Sequence, residues 1–440
     1  MDESRAVGES ALRKAGRRLI PVMVLCYFFA YLDRTNLSVA SLTMNESIGL
    51  SASAYGLGAG LLFLGYVSLE VPSNLMLHKV GARIWMCRIM VTWGVVASAG
   101  ALIQGEKSFY LLRLLLGLAE AGFFPGMILY LTYWFPAAQR ARVTAQFMIA
   151  VPLSSALGSP LSGLLLKLHG LAGLQGWQWL FVIEGLPSVV LGVMLLWLLP
   201  DRPAAASWLT PGERTWITST LAAEESAVRR GREMTVRQSL GDKRVLGLSV
   251  VYFALAFGLY GLGFWMPQII KKSLDIQSDL RVSLLTALPY ALGAAAMVIW
   301  GRRCDRGGQT PGYTALPMVL GGVVLAGSAL LTESPWLGYG GLCVCSIGIM
   351  AAFPAFWSLP SGILAGVAAA SGIAVINTLG NVAGFVGSYW MGWMTDLFGD
   401  SRWALVTVGA VMSGGGLLVL KAGSGLRHQS DPKLLTGQLS

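Results

Sequence analysis

The sequence predicts an all-α polytopic membrane protein: twelve transmembrane helices in two six-helix halves related by a pseudo-twofold. Three observations lead there. Only 12% of the 440 residues are charged and 55% are hydrophobic, where soluble proteins carry about 25% charged residues. Twelve segments hold the roughly 20 mainly apolar residues that a bilayer crossing needs. Basic residues fall on alternate connections, 24 of the 32 on one side, a pattern that places both termini in the cytoplasm and requires an even number of spans.

The spans are expected near 18–42, 54–77, 84–104, 108–134, 142–168 and 177–199, then 245–271, 282–301, 313–332, 336–358, 363–392 and 402–421. The first follows a basic tail but is too long for a signal peptide and has no small-residue cleavage site before its charges, so it reads as an uncleaved span. The fifth carries Pro152, Gly158, Pro160 and Gly163, and Pro354 and Pro360 stand around the end of the tenth; these are flexing points, tolerated where neighbours satisfy the freed backbone. The one long polar stretch, 200–244, contains Thr210-Pro-Gly-Glu213, a helix start by its capping pattern. It divides the chain into an N-terminal bundle, 1–199, a cytoplasmic linker, 200–244, and a C-terminal bundle, 245–440. The 55 glycines suit close helix approach in lipid.

The net charge of +10 is topological and not a nucleic-acid footprint. The five cysteines form no metal-spaced cluster, and no Ser-His-Asp set, zinc spacing or phosphate loop is present, so the chain reads as neither an enzyme nor a metalloprotein. No cofactor is expected, with H⁺ as the coupling ion.

Charges inside apolar runs carry the chemistry. Asp33 and Arg34 interrupt the first span, and Arg113 and Glu120 the fourth. Each costs about 2.5–3.5 kcal/mol near a bilayer centre on insertion scales. Asp33 and Arg34 are adjacent, about 100° apart around a helix, so each needs its own partner. Arg113 and Glu120 lie two turns apart on one face, about 10 Å along the axis. A guanidinium takes a carboxylate through two parallel hydrogen bonds, which makes Arg34 and Arg113 candidates for binding an anion. Asp33 and Glu120 are candidates for taking and releasing a proton, since burial and a neighbouring arginine pull a carboxyl in opposite directions. Glu70, near the end of the second span beside Pro72, reads as a structural or gate ion pair, and Glu184 in the sixth span has no evident partner.

The halves share a loop signature. Gly301-Arg-Arg-Cys-Asp305-Arg306-Gly-Gly308 follows the second span of the second half, and Asn74-Leu-Met-Leu-His78-Lys79-Val-Gly81-Ala-Arg83 stands at the same place in the first. This loop, the twelve spans and the central basic linker resemble the major facilitator superfamily. Tyr31-Leu-Asp33-Arg34-Thr-Asn36, Gly65-Tyr66…Glu70-Val-Pro-Ser-Asn74 and Arg113…Gly117…Glu120-Ala-Gly-Phe-Phe-Pro125 resemble its anion:cation symporter family, nearest to bacterial tartrate- and phthalate-type permeases. His78 departs from the Asp usual in that loop. The resemblance implies a monomeric transporter working by rocker-switch alternating access, with Asp33 and Glu120 coupling protons and Arg34 contacting substrate. It also implies that Tyr31, Tyr66 and Gln146 from the first half and Trp357, Ser358 and Asn377 from the second line the substrate cavity, while Lys79, Arg83, Asp305 and Arg306 act in gating.

The expected function is therefore proton-coupled uptake of a small organic anion, such as tartrate, across the cell membrane. Two arginines favour a dicarboxylate or a hydroxy or sugar acid. Tyr31, Tyr66 and Trp357 also suit an aromatic carboxylate of the phthalate kind. A drug/H⁺ efflux antiporter would share the fold, but its pocket would more naturally hold acids without paired arginines.

Overall fold

The computed structural model describes residues 2–229, 238, 241–307, 310–331, 334–363 and 368–427, and among these every regular element is helical. The helices of the first half are α1 (Asp2–Ile48), α2 (Ala52–Val80), α3 (Ala82–Ser98), α4 (Glu106–Glu120), α5 (Phe123–Thr132), α6 (Ala137–Met148), α7 (Ala150–Leu165) and α8 (Gly176–Leu198). The linker helix α9 spans Pro211–Arg229. Then come α10 (Lys243–Ser273), α11 (Asp279–Gly307), α12 (Gly312–Leu330), α13 (Pro335–Ile363), α14 (Ala368–Phe398) and α15 (Arg402–Arg427).

Among the described residues, eleven helical segments are long and apolar enough to cross a membrane. The remaining expected span, the eleventh, corresponds to α14, a 31-residue helix; residues 364–367 of the expected 363–392 segment lie outside the described residues. Exposed Val71, Leu102 and Trp197 project from spans and suit contact with lipid rather than water.

Packing sorts the chain into two compact units: the described residues of Met1–Gly231 with Phe264–Ala287, and those of Arg232–Gly263 with Leu288–Ser440. In the first unit the closest pairings are α3 with α8, α2 with α4, and α1 with α7 and α8. The α2–α4 contact depends on missing side chains. A Cβ on Gly117 would run into the backbone oxygen of Leu62, and one on Gly65 would stand 2.5 Å from the backbone oxygen of Leu114. Backbones this close gain the dispersion contacts that hold helices together where lipid removes the hydrophobic driving force. In the second unit, α12 packs against both α13 and α15.

Three expected spans differ in detail; the fifth, 142–168, is parted at Ile149 into α6 and α7. Residues 108–134 form two helices rather than one, because Gly122 takes a left-handed φ of +84° and Pro125, in the first turn of α5, has no N–H to bond backwards. The basic N-terminal tail is not a separate segment. It continues α1 as far as Asp2, and the linker helix docks on it.

That docking follows from the capping pattern. The Thr210 N–H donates to Glu213 Oε2 at 2.9 Å and the Glu213 N–H to Thr210 Oγ1 at 3.3 Å, a reciprocal capping box. The same carboxylate accepts from Ser10 Oγ at 2.8 Å and from Lys14 Nζ at 2.9 Å on α1. Further along α9, Glu224 accepts from the Ala137 N–H and from Arg140 Nη2, both at 3.1 Å, and so caps α6. The linker helix is thus tied at both ends to cytoplasm-expected ends of first-half spans. Burial alone would raise the Glu213 carboxyl, but the bonds from Lys14, Thr210 and Ser10 and the Lys14 charge outweigh it and hold it at about 2.

The Glu213 contribution is present above its ordinary value of 4.5 and lost as pH falls toward about 2. Glu213→Gln is therefore expected to lower the thermal unfolding midpoint of the purified protein at neutral pH, with the gap from wild type closing in acid. A gap that does not change with pH would show that the ionised carboxylate is not the anchor.

Candidate functional site

The four intramembrane charges converge inside the first unit. Arg34 Nη2 donates to Glu120 Oε1 at 2.5 Å, an ion pair joining α1 to the end of α4. Both side chains are largely buried, at 12% and 5% exposure. Tyr31 and Phe63 flank the guanidinium, with ring centroids 5.1 and 5.9 Å from its central carbon; cation–π attraction is strongest where water is excluded. Because α4 stops at Glu120, the negative end of its dipole lies beside that carboxylate. A cation there is favourable, and Arg34 supplies it.

Asp33, on the neighbouring face of α1, has different partners. Trp93 Nε1 of α3 donates to its Oδ2 at 2.5 Å, and Asn36 Nδ2, one turn along α1, to its Oδ1 at 3.2 Å. The expected 100° between Asp33 and Arg34 is realised: one carboxylate turns to α3, one guanidinium to α4. Arg113 is 2% exposed. It donates from Nη2 to the Ala59 carbonyl of α2 at 3.4 Å and lies 5.8 Å from the Phe264 ring. Asp33, Asn36 and Arg113 share the wall of a small cavity of about 10 Å³ with Phe109 and Phe181, about the room one water occupies. Arg113 and Glu120 do not pair; Arg34 takes the partner two turns away.

The softer candidates separate. Tyr66 is buried within electrostatic reach of Arg34, Glu70 and Glu120. Tyr31 is buried and also packs edge-on against Tyr27, with centroids 5.5 Å apart. Gln146 on α6 is exposed and takes no part in the cluster. Glu70 is buried on α2, whereas Lys79 is exposed. Arg83 is exposed, its backbone N–H donating to Asp201 Oδ1 at 2.8 Å and its side chain lying 4.0 Å from the same carboxylate. Asp201 thereby caps α3, a pairing across the half that sequence order conceals.

In the second unit, Trp357 stands edge-on to Tyr252 at 4.9 Å, Ser358 Oγ bonds back to the Ala355 carbonyl at 2.7 Å, and Asn377 is half-buried. Arg306 is exposed in the last turn of α11, and the Asp305 side chain lies outside the described residues. Sequence reasoning missed Trp93, whose indole is one of many in apolar segments, and Tyr252, which packs on Phe356 and Trp357. Asn36 was legible, one turn from Asp33. Glu184 was seen but not its partner: Ser162 Oγ of α7 donates to its Oε1 at 2.8 Å.

The sequence profile of the Major Facilitator Superfamily matches residues 23–388. The chain belongs to the Major Facilitator Superfamily. It is thus a multi-pass membrane transporter and not an enzyme. It is 47% identical over 422 residues, 96% of this chain and 92% of the relative, to the "Putative tartrate transporter" of Agrobacterium vitis. It is 40% identical over 404 residues, 92% of this chain and 93% of the relative, to the "Quinolone resistance transporter" of Acinetobacter baumannii. The solved xylose transporter XylE from E. coli superposes with a TM-score of 0.73 at 16% identity, covering 93% of this chain and 98% of that one. That likeness establishes the shared fold of this major facilitator protein.

Removing one member of a buried ion pair costs about 3–5 kcal/mol, because the other charge is left uncompensated. Arg34→Ala and Glu120→Ala are each expected to lower stability in detergent by that order, and the double variant by less than their sum. Strict additivity in thermal unfolding would mean the two side chains do not act as a pair.

Proposed function

We propose that this transporter carries a small organic anion inward together with protons, its substrate a dicarboxylate or a hydroxy or sugar acid of the tartrate kind. The observation that carries the reading is the Arg34–Glu120 pair, in which a guanidinium inside the bundle is held by a carboxylate that another carboxylate can replace. A substrate carboxylate can offer Arg34 two parallel hydrogen bonds. Once displaced, Glu120 sits in a low-dielectric site beside a helix C-terminus with no cation on it, where the neutral form is favoured. Anion entry and proton uptake are thereby one exchange. Arg113, buried beside Asp33, offers a second guanidinium for a second carboxylate. Tyr31 and Tyr66 would present their hydroxyls to substrate oxygens, and Trp357, Ser358 and Asn377 would contribute contacts from the second half.

The names of the Agrobacterium relatives support tartrate as the first substrate to try. In this reading both termini face the cytoplasm, the membrane is the cell membrane, the transport unit is a monomer, and the bundles 1–199 and 245–440 alternate access around the linker. One observation favours a second reading. A relative at 40% identity is named for quinolone resistance, so export of a drug against protons must be tested on the same preparation.

Proteoliposomes with an imposed inward proton gradient are expected to accumulate tartrate. Arg34→Ala should lose binding and transport together. Glu120→Gln should exchange tartrate across the membrane but not concentrate it, since a neutral amide binds no proton. Gradient-independent uptake in wild type would remove the coupling. Proton release on adding a quinolone, with no uptake of any acid, would establish the antiporter instead.

A further inference from the structure

In the second unit, aromatic rings converge on Tyr252 of α10, which is buried. Its ring stacks on Phe356 of α13, with centroids 5.0 Å apart and planes 18° apart. It meets Trp357 edge-on at 4.9 Å and Phe353 edge-on at 5.9 Å. From α14, Gly380 closes on the same ring. A Cβ built there would stand 2.1 Å from the ring's Cε1 and 2.4 Å from its Cδ1. Any side chain at 380 would therefore force the ring aside.

Trp357, Ser358 and Asn377 are the residues read above as the second half's contacts to substrate. The turn of α13 that carries the first two is weakly restrained by its own helix. Pro354 and Pro360 lie inside α13 on either side of it, and a proline has no N–H to give to the carbonyl four residues back. The carbonyls of Met350 and Phe356 thereby lose their helical donors. Ser358 Oγ bonds back to the Ala355 carbonyl, a contact that bends helices. Backbone hydrogen bonds thus leave the direction of the Trp357 indole loosely set, and the indole is half-buried. Phe356 stands edge-on to it at 5.5 Å but rides on the same turn. Tyr252 comes from another helix and is locked there by Phe356 and Gly380. Asn377 lies three residues before Gly380, one turn along the same face of α14. The contact of Gly380 with Tyr252 therefore sets the place of Asn377 as well.

We propose that Tyr252 is a positioning residue for the second half of the substrate site: its ring, in contact with both Gly380 and Trp357, holds the Trp357 indole and the Asn377 amide in the arrangement that fits the substrate. Tyr252 itself makes no substrate contact here, and its part rests on the reading of Trp357 as one. A site held this way depends on side chains whose own rotamers are fixed by packing.

Tartrate uptake kinetics in proteoliposomes test this. Tyr252→Ala, and Gly380→Ala, whose added methyl displaces the ring, are each expected to raise KM about tenfold with the maximal rate within about threefold. Tyr252→Phe keeps the ring and should restore the wild-type KM. In Gly380→Ala/Tyr252→Ala the methyl meets no ring, so the double variant should match Tyr252→Ala alone rather than lose tenfold twice. Where Tyr252→Ala does not fold, Tyr252→Leu, an apolar filler without the ring, takes its place in the same comparison. Trp357→Ala separates the two readings. If it leaves KM unchanged, Trp357 is no substrate contact, and the second-half site is wrong with Tyr252's part in it. If Trp357→Ala raises KM but Tyr252→Ala does not, or if Gly380→Ala and Tyr252→Ala add independently, the positioning role alone is overturned. A Tyr252→Ala protein with a lower unfolding midpoint and an unchanged KM would likewise show a residue that serves folding and not the site.

Discussion

The cost of charge in a bilayer governs this structure. Each ionised group inside the first unit is placed where another group offsets it: Arg34 against Glu120, Asp33 against the Trp93 indole and the Asn36 amide, Arg113 between the Ala59 carbonyl and the Phe264 ring. None of these partners is next to its acid or base except Asn36. Helix packing must therefore be accurate enough to bring four helices to one place, since a side chain an ångström out of reach leaves a buried charge uncompensated.

Small residues provide that accuracy. Gly65 and Gly117 allow α2 and α4 to touch backbone to backbone, which brings Arg113 within reach of the Ala59 carbonyl and Glu120 up to Arg34. The stop after Glu120 has a matching consequence. Gly122 and Pro125 end one helix and begin another, so the acid sits at a helix terminus and not in mid-helix, beside backbone carbonyls that favour a cation. The same stretch that interrupts a span also sets the electrostatics of the ion pair it ends on.

The relatives show how far this scaffold bends. Proteins named for tartrate transport and for quinolone resistance lie at 47% and 40% identity to this one, and a xylose transporter shares the fold at 16%. Fold is therefore a weak guide to cargo. The discriminating features are the side chains within the bundle, and here they are two buried guanidinium groups, Arg34 held by the Glu120 carboxylate and Arg113 by the Ala59 carbonyl, a chemistry suited to anions.

Composition, hydropathy and the alternation of basic residues were enough to recover the membrane class, the spans and the capped linker helix, because each follows from local free energies of transfer or from hydrogen bonds between near neighbours. The intramembrane acids and arginines were equally legible, since a charge in an apolar run is conspicuous wherever it lies. Pairing was not. Arg34 with Glu120, Asp33 with Trp93, Glu184 with Ser162, Lys14 with Glu213 and Arg83 with Asp201 join residues 22 to 199 positions apart, and no periodicity encodes such a match. The break after Glu120 was present as Gly122 and Pro125 but ambiguous, because both residues also occur in continuous spans when neighbouring helices satisfy the backbone. Which helix faces which is decided by packing of the whole bundle, and the partner of each charge is decided with it.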